Sequence, residues 1–176
     1  MVTSPSNPFL KVLIPFLGII IIYIVAKFKK IARQDVMLIS PAIKDILLWL
    51  FVWLAFIGTT DYMFNWRGKF DFTIWRTQSS ITSVCRILAV VFFGPILEEL
   101  IFRGGIFFRL RTIIKNEWFR MSFIALAWAC IHLEYDYETR FLIFGNGLLL
   151  GASLIKSRSL YIPIMLHIIW NLYAVW

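Results

Sequence analysis

Six long apolar runs constrain the fold of this sequence more than any other feature. A helix that crosses a bilayer needs about 20 mainly apolar residues. Hydrophobic residues make up 60% of the 176 residues and charged residues only 16%, which leaves too little polar sequence to coat a soluble domain. We therefore predict an all-α, polytopic membrane protein with about six spans in one helical bundle. The runs cover residues 9–28, 43–64, 81–110, 118–135, 140–155 and 160–176.

The net charge of +8 is best explained by basic loops on one side of a membrane. Loops rich in Lys and Arg face the cytoplasm in membrane proteins, so we predict no nucleic-acid partner. With both termini outside, eleven basic residues fall on the inner side and five on the outer side. This bias predicts an integral protein of a bacterial inner membrane with both termini outside. The five outer residues are Lys11, Arg67, Lys69, Arg76 and Arg140.

Two adjacent carboxylates, Glu98 and Glu99, lie inside the third apolar run. Like charges in a low-dielectric setting repel each other, so one carboxyl group should have a raised pKa or bind a cation. Arg103 follows Glu99 by four residues and lies on the same helical face, which makes an ion pair between them available. Glu98 then projects about 100° away around the helix, free to contact something else. Charged groups within a span are candidates for a functional site.

Both histidines of the chain also lie within apolar runs. His132 ends the fourth run, and His167 precedes Asn171 by four residues, so the latter two share one helical face. By residue count, His132 and His167 lie at a depth in the bundle similar to that of Glu98. We therefore expect the three side chains to meet in a polar cavity. A Glu and a His polarise water, and a His with an Asn donates hydrogen bonds to an oxyanion. These groups suit the hydrolysis of a peptide bond without a Ser or Cys nucleophile.

Three motifs in this order resemble those of the CPBP (CAAX protease and bacteriocin-processing, or Abi) family of glutamic intramembrane endopeptidases. EExxxR matches Glu98–Arg103, FxxxH matches residues 128–132, and HxxxN matches His167–Asn171. The family includes the type II CAAX prenyl proteases. The resemblance implies an intramembrane endopeptidase whose last four spans form the family core. Its substrate is expected to be a membrane-delivered peptide or protein within the lipid bilayer, and no cofactor or metal is expected.

The resemblance also implies a role for each motif residue. Glu98 is expected to activate water with the help of His132, and His167 with Asn171 to form the oxyanion site. The departure from the family pattern is Trp128, which stands where Phe is usual and either narrows the cavity or adds an N–H donor. The residues expected to support this geometry are Glu99 and Arg103.

The remaining predictions concern domain organisation and alternatives. We expect one integral-membrane domain over residues 1–176, with variable N-terminal spans in 9–64 and the catalytic core in 81–176. Cys85 and Cys130 are predicted to be small buried residues. A zinc-dependent protease that uses Glu98, His132, His167 and Cys130 is one alternative, although no HExxH pair is present. A non-enzymatic immunity or scaffolding protein is the other.

Overall fold

A computed structural model describes residues 7–65 and 78–175. Within these ranges the chain forms six main helices and no β-strand, which confirms the all-α prediction. A short 3-10 turn, Arg33–Val36, separates the first two helices. The polar segment with Arg67, Lys69 and Arg76, used in the orientation prediction, lies outside the described residues. The helices are α1 (Pro8–Phe28), α2 (Ile43–Phe64), α3 (Ser80–Thr112), α4 (Glu117–Ile131), α5 (Tyr137–Ser157) and α6 (Tyr161–Val175).

Polar side chains cap the N-termini of four helices. Asn7 accepts a hydrogen bond from the Phe9 amide, and Asp136 accepts one from the Thr139 amide at 2.7 Å. Ser79 caps α3 and Asn116 caps α4 in the same way. These contacts satisfy amides at the start of a helix that have no intrahelical partner. The short polar segments between apolar runs therefore determine where the helices begin.

The helices differ in how many of their side chains are buried in the bundle. Three of them, α1, α2 and α3, are long and apolar enough to cross a membrane, so the chain is an integral membrane protein. None of the described side chains of α1 is buried, whereas α5 has the longest set of buried side chains. An apolar helix with an exposed surface requires lipid around it. Helix α1 therefore faces the bilayer, and α5 lies in the centre of the bundle.

Helices α4 and α5 pack closely because α5 carries glycines at their contact. A Cβ at Gly147 would lie 3.0 Å from the Cβ of Ala125 and 3.1 Å from the Trp128 ring. A Cβ at Gly151 would overlap the side chain of Met121. Small residues allow backbones to approach in membrane bundles. This contact holds Trp128 against the centre of the bundle.

Helix α3 departs from α-helical geometry before the two glutamates. Residues Leu88–Phe93 form a π-helical segment, in which the Gly94 amide bonds to the Ala89 carbonyl. The Val90 carbonyl would accept from residue 94 in an α-helix or from residue 95 in a π-helix. The amide of Gly94 bonds to the Ala89 carbonyl instead. Residue 95 is a proline, which has no N–H. The Val90 carbonyl is thus left without its usual helical donors.

Helix α1 runs parallel to α3 along one side of the bundle. Gly18 contacts Leu97, where an added Cβ would lie 3.0 Å from the Leu97 methyl groups. Lys11 lies near Val90, and Ile22 lies near Ile101. The C-terminal ends of both helices, which carry basic residues, therefore lie at the same end of the bundle.

The prediction for the cysteines is right at one position and wrong at the other. Cys85 is buried, but Cys130 is exposed on α4. A thiol is apolar enough to face lipid, so an apolar sequence context in a membrane helix does not imply burial inside the protein.

Candidate active site

One cavity of about 410 Å³ collects the motif residues from distant parts of the sequence. Glu98 of α3, His132 at the end of α4, and His167 and Asn171 of α6 all line it. Three helices contribute because α6 packs against the π-helical segment and the following turns of α3, and Trp128 of α4 bonds to Glu98 of α3. The structure thus brings together the four residues for which the sequence predicted catalytic roles.

Trp128 is the central contact of this site. Its indole Nε1 donates a hydrogen bond to Glu98 Oε2 at 2.8 Å, and its side chain is almost fully buried. The ring packs edge-on against both His132 and His167, with centroid distances of 5.2 Å in each case. Tryptophan therefore adds an N–H donor at the position where the motif usually has Phe. This donor orients Glu98 toward the cavity.

His132 is held by the end of its own helix. Helix α4 ends at Ile131, and the His132 amide bonds to the Ala129 carbonyl, which leaves the Trp128 carbonyl available. His132 Nδ1 lies 2.7 Å from that carbonyl oxygen. A carbonyl only accepts hydrogen bonds, so Nδ1 carries the proton. In a neutral imidazole the lone pair then lies on Nε2, which is the nitrogen available as a base.

Glu99, Arg103 and His167 form a buried ion cluster behind the cavity. Arg103 Nη1 donates to Glu99 Oε1 at 2.8 Å, which confirms the predicted intrahelical ion pair. The same oxygen lies 2.9 Å from His167 Nδ1. Arg103 Nη2 donates to the Gly147 carbonyl at 3.2 Å, and the guanidinium also lies over the Trp128 ring. The cluster therefore ties α3 to α5 and α6.

Asn171 is oriented by the irregularity in α3. Its Nδ2 donates to the Val90 carbonyl at 2.8 Å. This is the carbonyl that the π-helical segment and Pro95 leave without a helical donor. An amide NH₂ group has two protons, so one fixes the side chain and the second is available to a ligand in the cavity.

Three further titratable residues line the cavity, and the motifs did not identify them. They are Lys11 of α1, together with Glu134 and Tyr135 of the loop after α4. Burial and the charges of Glu134 and Glu98 raise the pKa of the Tyr135 phenol above its ordinary value. Its ring stacks on His132, with the centroids 6.1 Å apart. Lys11 was detectable in principle, because it is a charged residue within an apolar run.

The geometry gives the zinc alternative no ligand set. Among residues 7–65 and 78–175, no group of three or more His, Cys, Asp or Glu side chains converges at metal-binding distance. Cys130 is exposed and does not line the cavity. His167 directs Nδ1 to Glu99, and His132 directs Nδ1 to a carbonyl, so each histidine has only Nε2 left for a ligand in the cavity.

Comparisons with known proteins agree with this arrangement. The family model described as "Type II CAAX prenyl endopeptidase Rce1-like" matches residues 80–173. The membrane-embedded CAAX protease MroQ of Staphylococcus aureus is 29% identical over 109 residues, which cover 57% of this chain and 43% of the relative. The UPF0177 protein YvdC of Lactococcus lactis is 28% identical over 106 residues, covering 56% of this chain and 39% of the relative. No solved structure matches the chain significantly.

The matched region contains most of the residues that line the cavity. The family match begins at the start of α3 and ends near the end of α6, so it contains all six candidate residues and excludes α1 and α2. The aligned region spans less than half the length of either curated relative. The chain therefore belongs to the Rce1-like type II CAAX prenyl endopeptidases, within the CPBP family that its three motifs resemble.

Proposed function

We propose that this chain is a glutamic intramembrane endopeptidase that hydrolyses a membrane-delivered peptide or protein. The observation that carries the proposal is the single cavity lined by Glu98, His132, His167 and Asn171. Two of these side chains can accept a proton, and two can donate hydrogen bonds. Acid–base groups and oxyanion donors that face one space are what acyl transfer to water requires.

The first step is the activation of water. Glu98 is oriented by the Trp128 N–H, and His132 presents its unprotonated Nε2. The water oxygen attacks the carbonyl carbon of the scissile bond as its proton passes to Glu98 with the assistance of His132. The carbonyl π electrons move to the oxygen, which becomes the oxyanion of a tetrahedral intermediate. General base catalysis of this kind contributes about 10²- to 10⁴-fold to a rate.

The second step is the stabilisation and collapse of the intermediate. The free N–H of Asn171 and the Nε2–H of a protonated His167 donate to the oxyanion. The carbon–nitrogen bond then breaks, and the proton held by Glu98 passes to the leaving amine. The products are a new carboxyl group and a new amino group. Glu99 and Arg103 act as positioning residues, because Glu99 contacts the Nδ1 of His167 and does not line the cavity.

The location of the site supports a substrate that arrives through the membrane. The cavity is lined by helices whose outer surfaces are apolar, and Lys11 and Glu134 place charges in its wall. We propose residence in a bacterial inner membrane with both termini outside, on the distribution of basic residues. We also propose that residues 81–176 carry the catalysis and that 9–64 form a variable flank.

The test compares the wild-type chain with Glu98→Gln in proteoliposomes. A library of acyl-anchored peptides is incubated in H₂¹⁸O, and products are identified by mass spectrometry. The wild type is expected to place one ¹⁸O atom in each new carboxylate, and Glu98→Gln to lower the rate by about 10²- to 10⁴-fold. Glu117→Gln, which removes a surface ion pair with Arg158, is the matched control and should stay active.

Two results would overturn the proposal. Retained cleavage in Glu98→Gln would remove the role of this carboxylate. Loss of activity on exhaustive chelation, restored by Zn²⁺, would replace the glutamic mechanism with a zinc-dependent one.

A further inference from the structure

A second cleft, of about 670 Å³, lies beside the part of α3 that follows Glu98 and Glu99. It is formed by α1, the turn after it, and the C-terminal half of α3, and it shares no lining residue with the catalytic cavity. Its walls are mostly apolar and include Ile22, Leu100, Ile101 and Ile106. Its volume lies within the usual range for ligand sites, about 300–1,000 Å³. We call it the α1–α3 groove.

Glycine keeps the α1–α3 groove open. Residues Phe102–Ile106 form a second π-helical segment, which includes Gly104 and Gly105. A Cβ at Gly105 would have only one neighbour within 4 Å, the Leu100 carbonyl oxygen at an ordinary 3.5 Å. The φ angle of Gly105 is not positive. Neither packing nor backbone conformation requires glycine at this position. Because Gly105 has no side chain, the space beside it stays open and forms part of the groove.

Basic side chains lie at one end of the groove. Arg109 and Arg111 line it and are exposed, and neither guanidinium has an ion pair or hydrogen bond with the described residues. The acid of the lining, Asp35, accepts a hydrogen bond from the Ala32 amide at 3.0 Å and so caps its own turn. Because α1 and α3 are parallel, Lys29 lies at this end as well. The groove is therefore apolar along its length and positively charged at its end.

We propose that the α1–α3 groove binds an anionic phospholipid. An acyl chain would lie against the apolar walls, and the phosphate would contact Arg109 and Arg111. One wall is α1, which has no buried side chain and faces the bilayer, so lipid has direct access. Basic pockets between membrane helices on the cytoplasmic side bind anionic head groups, and the sequence predicts that this end faces the cytoplasm. The site is independent of the proposed peptidase activity.

The test measures lipid binding by the full chain in detergent micelles, by native mass spectrometry. Phosphatidylglycerol and phosphatidylcholine of the same acyl composition are the probes. We expect the wild type to retain one phosphatidylglycerol in preference to phosphatidylcholine. Arg109→Gln combined with Arg111→Gln should weaken this binding about 30-fold, because each basic residue near a membrane surface contributes a factor of about five.

Two further variants make the test specific. Lys44→Gln combined with Lys115→Gln removes the same charge from exposed positions that do not line the groove, and should change binding by less than about threefold. Gly105→Leu keeps both arginines and fills the groove, and should abolish retention of the lipid. Equal binding of the two lipids by the wild type would overturn the proposal. So would a loss of phosphatidylglycerol binding in the lysine control equal to the loss in the arginine variant. If the arginine variant fails to fold, normal lipid retention in folded Gly105→Leu would overturn it.

Discussion

Glu98 and Glu99 are neighbours in sequence but belong to two regions with opposite surroundings. Glu99 lies in the buried ion cluster, where it contacts Arg103 and His167 and is fully inaccessible to solvent. Glu98 lies in the cavity wall, where Trp128 holds one of its oxygens and the carboxylate faces open space. One residue of helical rotation, about 100°, separates a structural carboxylate from a candidate base.

Substitutions in the buried ion cluster and in the cavity wall are expected to have different effects. A buried charge that loses its partner destabilises the fold, because it has no water to replace that partner. A cavity-facing group that loses its partner is solvated by the cavity, so the fold survives and the chemistry suffers. Changes in the ion cluster should therefore lower the free energy of unfolding, and changes in the cavity wall should lower the rate.

The largest effect is expected from Arg103→Met. This change leaves the Glu99 carboxylate buried without its cation, which costs about 3–5 kcal/mol of unfolding free energy. Combining it with Glu99→Leu should cost less than the sum of the two single changes, because the double variant removes both members of the ion pair. Thermal unfolding in detergent measures all three. Additive costs would show that the two side chains are not coupled.

Asn171→Ala should lower kcat by about 10²- to 10³-fold, the effect of losing one oxyanion donor. Its cost in unfolding free energy should be small, since the cavity can solvate the Val90 carbonyl. Parallel measurement of cleavage and thermal unfolding separates the two quantities. Loss of stability without loss of rate would show that Asn171 supports the fold and does not stabilise the oxyanion.

Trp128→Phe should have a smaller effect on the rate. It removes the hydrogen bond to Glu98, and hydrogen bonds to charged groups contribute about 1.5 kcal/mol or more, which corresponds to about a tenfold lower kcat. Trp118→Phe, at an exposed position of the same helix, is the control. An unchanged kcat in Trp128→Phe would mean that Glu98 is oriented by other contacts.

The smallest effect is expected from Tyr135→Phe. The ring can still stack on His132, so we expect kcat to change by about threefold or less. The pKa of the phenol is raised, so the group stays neutral through the physiological range and its ionisation cannot shape activity there. The pH–rate profiles of the two proteins should coincide up to about pH 9. A shifted alkaline limb in the variant would give the phenol a role in proton transfer.

Much of this comparison was predictable from local spacing. The Glu99–Arg103 pair follows from four residues of helix, and the pairing of His167 with Asn171 on one face follows from the same rule. Other features were not predictable. The contact of Glu98 with Trp128 joins residues 30 positions apart, and that of Asn171 with Val90 joins residues 81 apart. Lys11 lies outside every motif and reaches the cavity because α1 packs parallel to α3.

The sequence by itself determined the membrane setting, the helices and the identity of the motif residues. These depend on apolar run length, on capping side chains and on residue spacing, all of which are local properties. The tertiary structure alone decided that Trp128 holds Glu98 in the cavity wall and that His167 contacts Glu99. It also decided where the Val90 carbonyl finds its donor and how an open groove forms beside Gly105. Those outcomes depend on how helices approach one another, and that distance is set by packing across the whole bundle.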